Sequence, residues 1–217
     1  MLSGTSGRLV FAVISVLWAG AVGFGTRLVL NYENTSGKPG QPPVRWPASS
    51  QCNRRAAGFT LVMLAHPDCP CTKASLEELD GLMARLPEKP AVYILFSKPD
   101  APLAEIESSG LWQRASRIPG VSVRFDPFGV EAANFGGSVS GQTMLYDPSG
   151  HLAFSGGITA TRGHQGPNAG VDSILLAVSG KAGAVARTSV FGCSLRDPDA
   201  QELKEDRAWQ RLGSVRK

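Results

Sequence analysis

The sequence lacks the charge pattern of a nucleic-acid-binding protein and has few cysteines. Its formal net charge is only +4 over 217 residues, and the basic residues are scattered, not gathered into a stripe interleaved with aromatic side chains. We therefore expect no nucleic-acid partner. The four cysteines are too few for a scaffold built on disulfides and are typical of a redox or metal site. They are Cys52, Cys69, Cys71 and Cys193.

One long apolar run is present, near the amino terminus. Residues 9–25, LVFAVISVLWAGAVGFG, contain no charge, and the next charged residue is Arg27. A membrane-spanning helix needs about 20 apolar residues, with a range of about 17–25. Residues 1–30 are therefore predicted to form an uncleaved signal anchor, that is, a transmembrane helix. Arg8 on the short leading side favours a cytoplasmic amino terminus, so we expect a single-pass inner-membrane protein with its domain on the periplasmic side.

A cleaved signal peptide is the alternative interpretation of the same run. Ala19-Gly20-Ala21 has the small residues of a cleavage site, although the apolar run continues past it. Both interpretations export the domain to a compartment where disulfides form and persist.

The remaining chain divides by composition into three parts. Residues 31–50 contain GKPGQPP, and glycine and proline at this density predict a linker. The folded domain is predicted over residues 51–195, and a charged carboxyl-terminal tail over residues 196–217.

Strands and helices alternate in the predicted domain. Near-continuous apolar runs predict buried strands at residues 58–66 and 91–97, and leucines spaced three or four apart predict an amphipathic helix over 74–86. The later predicted elements are a helix over 102–118, a strand over 121–125, a short helix over 130–135, a hairpin of strands 143–146 and 151–155, and a helix over 171–179. This order predicts an α/β domain with a mixed sheet flanked by helices.

A cysteine pair lies between the first predicted strand and its helix, in HPDCPCTK (residues 66–73). Pro70 suits the first helical position, where its missing N–H would have been unpaired. Cys69 is then at or near the N-cap and Cys71 in the first turn. Unpaired N–H groups and the helix dipole favour an anion at this end, and cysteines at helix N-termini have lowered pKa values. Lys73 acts in the same direction.

These properties predict a reactive thiol pair, with Cys69 as the attacking thiol and Cys71 as the resolving thiol. Residues two apart on a helix do not face each other, so a disulfide between them would be strained unless the helix begins at or after Cys71. Strained disulfides are easily reduced, which is typical of catalytic or regulatory pairs. Two unrelated buried thiols are the alternative.

The order of elements, with a cysteine pair after the first strand, resembles the thioredoxin-like superfamily. More narrowly, HPDCPCTKASLEEL, GGITATRGH (residues 156–164) and FGC (residues 191–193) resemble bacterial membrane-anchored RedB-like proteins with a Cys-Pro-Cys motif. The resemblance covers residues 46–195 and implies a thioredoxin-like mixed sheet and thiol–disulfide exchange. It departs from thioredoxins in having one residue between the cysteines, and in having Gln142 where thioredoxins carry a cis-proline.

Several other residues are candidates for the same site. His66 is a candidate acid, base or metal ligand, and His164 is a candidate to approach the pair. Arg162 is a candidate to hold an anionic substrate. Cys193 is either a third thiol near the pair, able to form an alternate disulfide, or a buried thiol, or a partner for Cys52.

Three functions compete at this point. The first is an exported, membrane-anchored thiol–disulfide redox protein that needs no cofactor and acts on disulfide-bearing or thiol-bearing proteins. Its predicted catalytic residues are Cys69, Cys71, Pro70, His66, Lys73 and Cys193. The second is a copper-binding or copper-delivery module, because thiolates and imidazoles suit copper; its ligands would be Cys69, Cys71, His66 and His164. The third is a non-catalytic thioredoxin-like interaction domain.

Overall fold

The computed structural model describes residues 4–99 and 101–195, so the predicted tail at 196–217 lies outside the described residues. The chain divides into two units, Met1–Thr35 and Ser36–Lys217. In the first unit α1 runs from Gly4 to Asn34, past the boundary predicted at residue 30. Its 31 residues extend roughly 46 Å at 1.5 Å per residue, against a hydrocarbon core of about 30 Å. Within the described residues, α1 is the one helix that is long and apolar enough to cross a membrane. A signal sequence would meet the same criteria of length and composition.

The second unit is built on a five-stranded sheet in the order β3-β2-β1-β4-β5. The strands β1, β2 and β3 are parallel, whereas β4 is antiparallel to β1 and β5 is antiparallel to β4. The bounds are Thr60–Ala65 (β1), Ala91–Phe96 (β2), Val121–Phe125 (β3), Thr143–Tyr146 (β4) and Leu152–Gly156 (β5). This mixed sheet confirms the predicted fold class.

Helices flank the sheet. Their bounds are Pro70–Arg85 (α2), Leu103–Ser108 (α3), Gly110–Ala115 (α4), Val130–Asn134 (α5) and Ala169–Val178 (α6), with a 3₁₀ turn over Pro127–Gly129. The single helix predicted over 102–118 is wrong, because α3 and α4 are separate. Ser109 is extended between them and caps α4, since its hydroxyl accepts a hydrogen bond from the Trp112 N–H at 3.2 Å. Serine competes with helix continuation in this way.

Strand β1 lies at the centre of the core, and all six of its residues are buried. Its alternate side chains point to opposite faces. Leu61 and Met63 join one apolar cluster with the inner face of α2, including Leu79. Val62 and Leu64 join a second cluster on the other face. Burial on both faces is what its continuous apolar sequence predicts.

The glycine- and proline-rich stretch after α1 packs against the sheet domain. The Trp46 ring meets Phe135 edge-on at 5.0 Å and Tyr146 at 5.2 Å between centroids. Upstream, the Gly37 N–H donates to the Val190 carbonyl at 2.8 Å. Residues 36–50 therefore belong to the second unit. Their composition excludes regular structure, but the apolar surface of Trp46 still favours docking.

The chain after α6 returns along the outer edge of β5, and we call residues 186–195 the C-terminal segment. The Ser155 N–H donates to the Ala186 carbonyl at 3.0 Å, and the Thr188 N–H donates to the Ser155 carbonyl at 3.3 Å. The segment then reaches the turn before β4, where the Leu195 N–H donates to the Ser138 carbonyl at 2.9 Å. Backbone pairing thus covers an edge strand and carries residue 193 towards the end of β1.

Candidate active site

The site lies where β1 ends and α2 begins. Helix α2 starts at Pro70, which places Cys69 at the N-cap with extended backbone angles and Cys71 within the first turn. The turn is held by the His66 N–H, which donates to the Thr72 hydroxyl at 3.1 Å. The His66 ring in turn accepts the Asp68 N–H at Nδ1, at 3.2 Å. The local sequence therefore fixes a cysteine at the position where α2 has unpaired N–H groups.

Three thiols converge at this point. The Sγ atoms of Cys69 and Cys193 are 3.0 Å apart, and the thiols of Cys69 and Cys71 are hydrogen-bonded. All three cysteines are free, as is Cys52, which is buried in the second cluster. Of the alternatives for Cys193, the structure supports a third thiol beside the pair.

Cys69 is the thiol favoured to ionise. A hydrogen bond from the Cys71 thiol is the main cause that lowers the pKa of Cys69 to about 4, against the opposing effect of burial. The Ser140 hydroxyl, 3.1 Å from the Cys69 Sγ, lowers this pKa further, as do the Cys193 thiol and the Thr72 N–H. Hydrogen-bond donors to a thiolate stabilise the charged form, so several donors together stabilise the thiolate of Cys69.

The two neighbouring thiols keep their protons. The pKa of Cys71 is raised, first because its thiol is hydrogen-bonded to Cys69 and then because it is buried. Burial, followed by the hydrogen bond to Cys69, raises the pKa of Cys193 to about 11. This asymmetry concentrates the thiolate, which is the nucleophilic form, on Cys69; its role as the attacking thiol stays a prediction.

The glycine-rich loop after β5 reaches the same site. The Gly163 N–H donates to the Cys71 sulfur, and the Arg162 guanidinium donates to the Gly192 carbonyl at 2.8 Å. The positive charge of Arg162 acts to lower the pKa of Cys193, against the effect of burial. The three sequence pieces that carry the family resemblance are thus brought together in space.

The other predicted residues have different surroundings. Burial lowers the pKa of His66, so its ring is neutral at pH 7 and serves the turn through the Asp68 N–H. The exposed His164 ring bonds the Arg162 carbonyl at 2.7 Å. The side chain of Lys73 is exposed, and its N–H closes the first turn on the Cys69 carbonyl.

Sequence reasoning missed the two hydroxyl groups, Ser140 and Thr72. Thr72 lies inside the motif, in the first turn of α2, where its hydroxyl accepts the N–H of His66 in the preceding turn. Ser140 lies in the turn before β4, and this turn adjoins the end of β1 because β4 pairs with β1. Only the strand order brings it to the thiols.

Gln142 is placed at the predicted position before β4 and is fully buried. Its side-chain oxygen accepts the Ser138 N–H at 3.3 Å, and its side-chain amide donates to the Gly40 carbonyl at 3.4 Å. No cis peptide bond is found in the part of the chain that the structure describes. The amide therefore ties the turn to the amino-terminal stretch.

A metal site was the alternative role predicted for these residues. Over residues 4–99 and 101–195, no group of three or more histidine, cysteine, aspartate or glutamate side chains is arranged to hold a metal ion. Copper binding therefore stays a prediction.

No protein-family model and no curated protein matches the chain. Among solved structures, a hypothetical protein from Sinorhizobium meliloti 1021 is 19% identical, with 74% of this chain and 93% of that chain covered at a TM-score of 0.54. An uncharacterized conserved protein from Geobacillus kaustophilus is 16% identical, with 76% and 94% covered and a TM-score of 0.53. The pneumococcal exposed lipoprotein thioredoxin from Streptococcus pneumoniae strain TIGR4 is 17% identical, with 58% and 86% covered and a TM-score of 0.41. At these identities the similarity concerns the fold alone.

Proposed function

We propose that this protein is an exported, membrane-anchored thiol–disulfide redox protein whose attacking group is the thiolate of Cys69. The observation that supports the proposal is the placement of Cys69 at the N-cap of α2, with the thiol of Cys71 and the hydroxyl of Ser140 donating to its sulfur. A thiolate stabilised in this way persists at neutral pH and attacks disulfides.

The reaction is a two-step exchange. The Cys69 thiolate attacks one sulfur of a substrate disulfide, a mixed disulfide forms, and the other substrate sulfur leaves as a thiolate that takes up a proton. A second thiol of this chain, assigned from the motif as Cys71, then attacks the Cys69 sulfur and releases the remaining substrate thiol. Two electrons pass from the protein thiols to the substrate, and the reverse sequence oxidises a dithiol.

The substrate we propose is a protein disulfide or dithiol. The residues around Cys69 that the structure describes supply hydrogen-bond donors and sulfur, which suits exchange without a cofactor. Because Cys69 is only 2% exposed, a substrate sulfur reaches it only after neighbouring groups have moved.

The apolar helix α1 fits a signal anchor or a single-pass span. We propose that it holds the domain on the periplasmic side of the inner membrane, because Arg8 precedes the apolar run. Protease added to spheroplasts of a Gram-negative host should digest the domain, whereas intact cells should protect it. Protection in both preparations, with digestion only after lysis, would place the domain in the cytoplasm.

The function is tested with the full chain in detergent micelles. The reduced protein should reduce a disulfide-bonded peptide, and Cys69→Ser should abolish this activity. Cys52→Ala is the matched control, because Cys52 is also a buried thiol but lies in the second cluster; it should leave the rate unchanged. A wild-type rate no faster than that of free cysteine would indicate a non-catalytic interaction domain.

Copper binding is tested with the same variants. Thiolates select Cu(I), and two sulfur atoms already lie 3.0 Å apart. Titration of the reduced full chain with Cu(I) would support a copper module only if stoichiometric binding disappears in Cys69→Ser and persists in Cys52→Ala. We expect exchange activity without such binding.

A further inference from the structure

The C-terminal segment is joined to the turn beside the active site by backbone hydrogen bonds. The Ser140 N–H donates to the Cys193 carbonyl at 2.9 Å, and Val139 and Ser194 form an antiparallel bridge. Backbone pairing of this kind is how an extended peptide docks on an exposed edge. The segment therefore holds Cys193 in a fixed register beside the end of β1.

One hydroxyl positions both sulfur-bearing residues. The Ser140 Oγ accepts the Cys193 N–H at 3.0 Å and donates to the Cys69 Sγ at 3.1 Å. With the two Sγ atoms 3.0 Å apart, a disulfide bond of about 2.05 Å requires an approach of about 1 Å.

Gly192 allows the segment to come this close. A Cβ atom at this position would lie 1.9 Å from the Ser140 carbonyl oxygen, which is far inside the contact distance of two atoms. The Arg162 guanidinium holds the Gly192 carbonyl from the other side. The sequence FGC thus carries a physical requirement: a residue without a side chain must precede the thiol.

Cys71 is less well placed to bond with Cys69. Helix α2 begins at Pro70, so Cys71 lies within its first turn, where its thiol is hydrogen-bonded to Cys69. The Thr72 hydroxyl and N–H also hold this turn, through His66 and Cys69. A disulfide within the pair would have to uncoil the first turn.

We propose that the disulfide that completes each exchange is Cys69–Cys193, and that Cys71 serves as the hydrogen-bond donor to the Cys69 thiolate. The proposal rests on the exchange function proposed above and changes its resolving residue. In the resolving step the Cys193 thiol gives its proton to the departing substrate thiolate, and its sulfur attacks the Cys69 sulfur of the mixed disulfide. The bond from Cys69 to the substrate breaks, an intramolecular disulfide forms, and the substrate leaves as a thiol.

The test uses oxidised glutathione as the disulfide substrate of the reduced full chain in micelles. After free thiols are blocked, tryptic peptides are identified without reduction. A Cys69–Cys193 bond joins the peptide of residues 56–73 to that of residues 188–196, whereas a Cys69–Cys71 bond stays within the first peptide. We expect the joined peptides in wild type and in Cys71→Ser, and a persistent glutathione adduct on Cys69 in Cys193→Ser.

Kinetics provide the second readout. Because an intramolecular thiol is replaced by a bimolecular one, Cys193→Ser should slow release of the second glutathione by roughly a hundredfold or more. Gly192→Ala should slow the same step while the first attack persists. The matched control is Gly81→Ala, since a Cβ atom there meets nothing within 4 Å, and it should behave as wild type.

The outcomes separate the two proposals. If Cys69 forms no glutathione adduct in any variant, the exchange function itself fails. If Cys69 reacts but the bond closes within the Cys-Pro-Cys pair, or closure is lost in Cys71→Ser and retained in Cys193→Ser, the exchange function stands and the Cys193 proposal is overturned.

Discussion

Replacing Ser140 with alanine should raise the pKa of Cys69. The hydroxyl donates to the Cys69 Sγ at 3.1 Å, and a donor to the thiolate lowers the pKa, so its loss acts upward. A hydrogen bond to a charged group contributes about 1.5–3 kcal/mol. At 1.36 kcal/mol per pKa unit, we expect an increase of about 1–2 units. The Cys71 thiol remains as a donor, so the pKa should stay below that of free cysteine.

The measurement is the pH dependence of the alkylation rate of Cys69 in the reduced full chain. Iodoacetamide reacts with the thiolate, and the modified peptide identifies which cysteine has reacted. The ultraviolet absorbance of the thiolate gives an independent titration curve. Both curves should shift to higher pH in Ser140→Ala.

Ser173→Ala is the matched control. Ser173 is also a buried serine, and its hydroxyl accepts one backbone N–H, that of Val185, at 3.2 Å. Its replacement removes the same kind of group from α6 and should leave the Cys69 titration unchanged. An unshifted titration in Ser140→Ala, with the fold retained, would refute the assignment of Ser140 as a donor to the thiolate.

Three further predictions concern stability, measured as the free energy of unfolding in denaturant. Unfolded cysteine has a pKa of about 8.5, and the pKa of folded Cys69 is lowered to about 4. The Cys69 thiolate therefore stabilises the reduced protein fully above the unfolded pKa, and this contribution is lost as pH falls through the folded pKa. The free energy of unfolding should rise with pH across this window, and Cys69→Ser should remove that part of the pH dependence. Leu79→Ala should cost about 2–5 kcal/mol, because Leu79 is fully buried between α2 and the sheet, whereas Leu103→Ala, at a residue 44% exposed, should change stability little. Thr72→Val keeps the side-chain shape but leaves the His66 N–H without its partner, so it should cost about 1–3 kcal/mol; a cost under a few tenths would contradict this pairing.

Local patterns predict much of the fold. The continuous apolar residues of β1 and the leucine spacing of α2 are signals within one element, and both elements form as predicted. The start of α2 at Pro70 follows equally from local chemistry. The break at Ser109 was missed because the apolar residues continue across it and only the cap of α4 separates the helices.

The environment of the thiolate was less accessible from sequence. The turn with Ser140 and the segment with Cys193 are separated from the cysteine pair by 71 and 124 residues, and nothing local in either piece marks them as neighbours of a thiol. Their meeting depends on the antiparallel pairing of β4 with β1 and on the return of the chain along β5. Sequence reasoning could therefore only leave the role of Cys193 open.

The burial of Cys52 has a practical consequence for every experiment on this chain. Cys52 is 2% exposed in the second cluster, and burial raises the pKa of its thiol. Its modification by a thiol reagent therefore needs a global or sub-global opening of the domain. The same sample thus carries an internal reference: the labelling rate of Cys52 reports opening of the domain. Because Cys69 is equally buried, any excess of its labelling rate over that of Cys52 reports local movement at the active site together with the reactivity of the Cys69 thiolate.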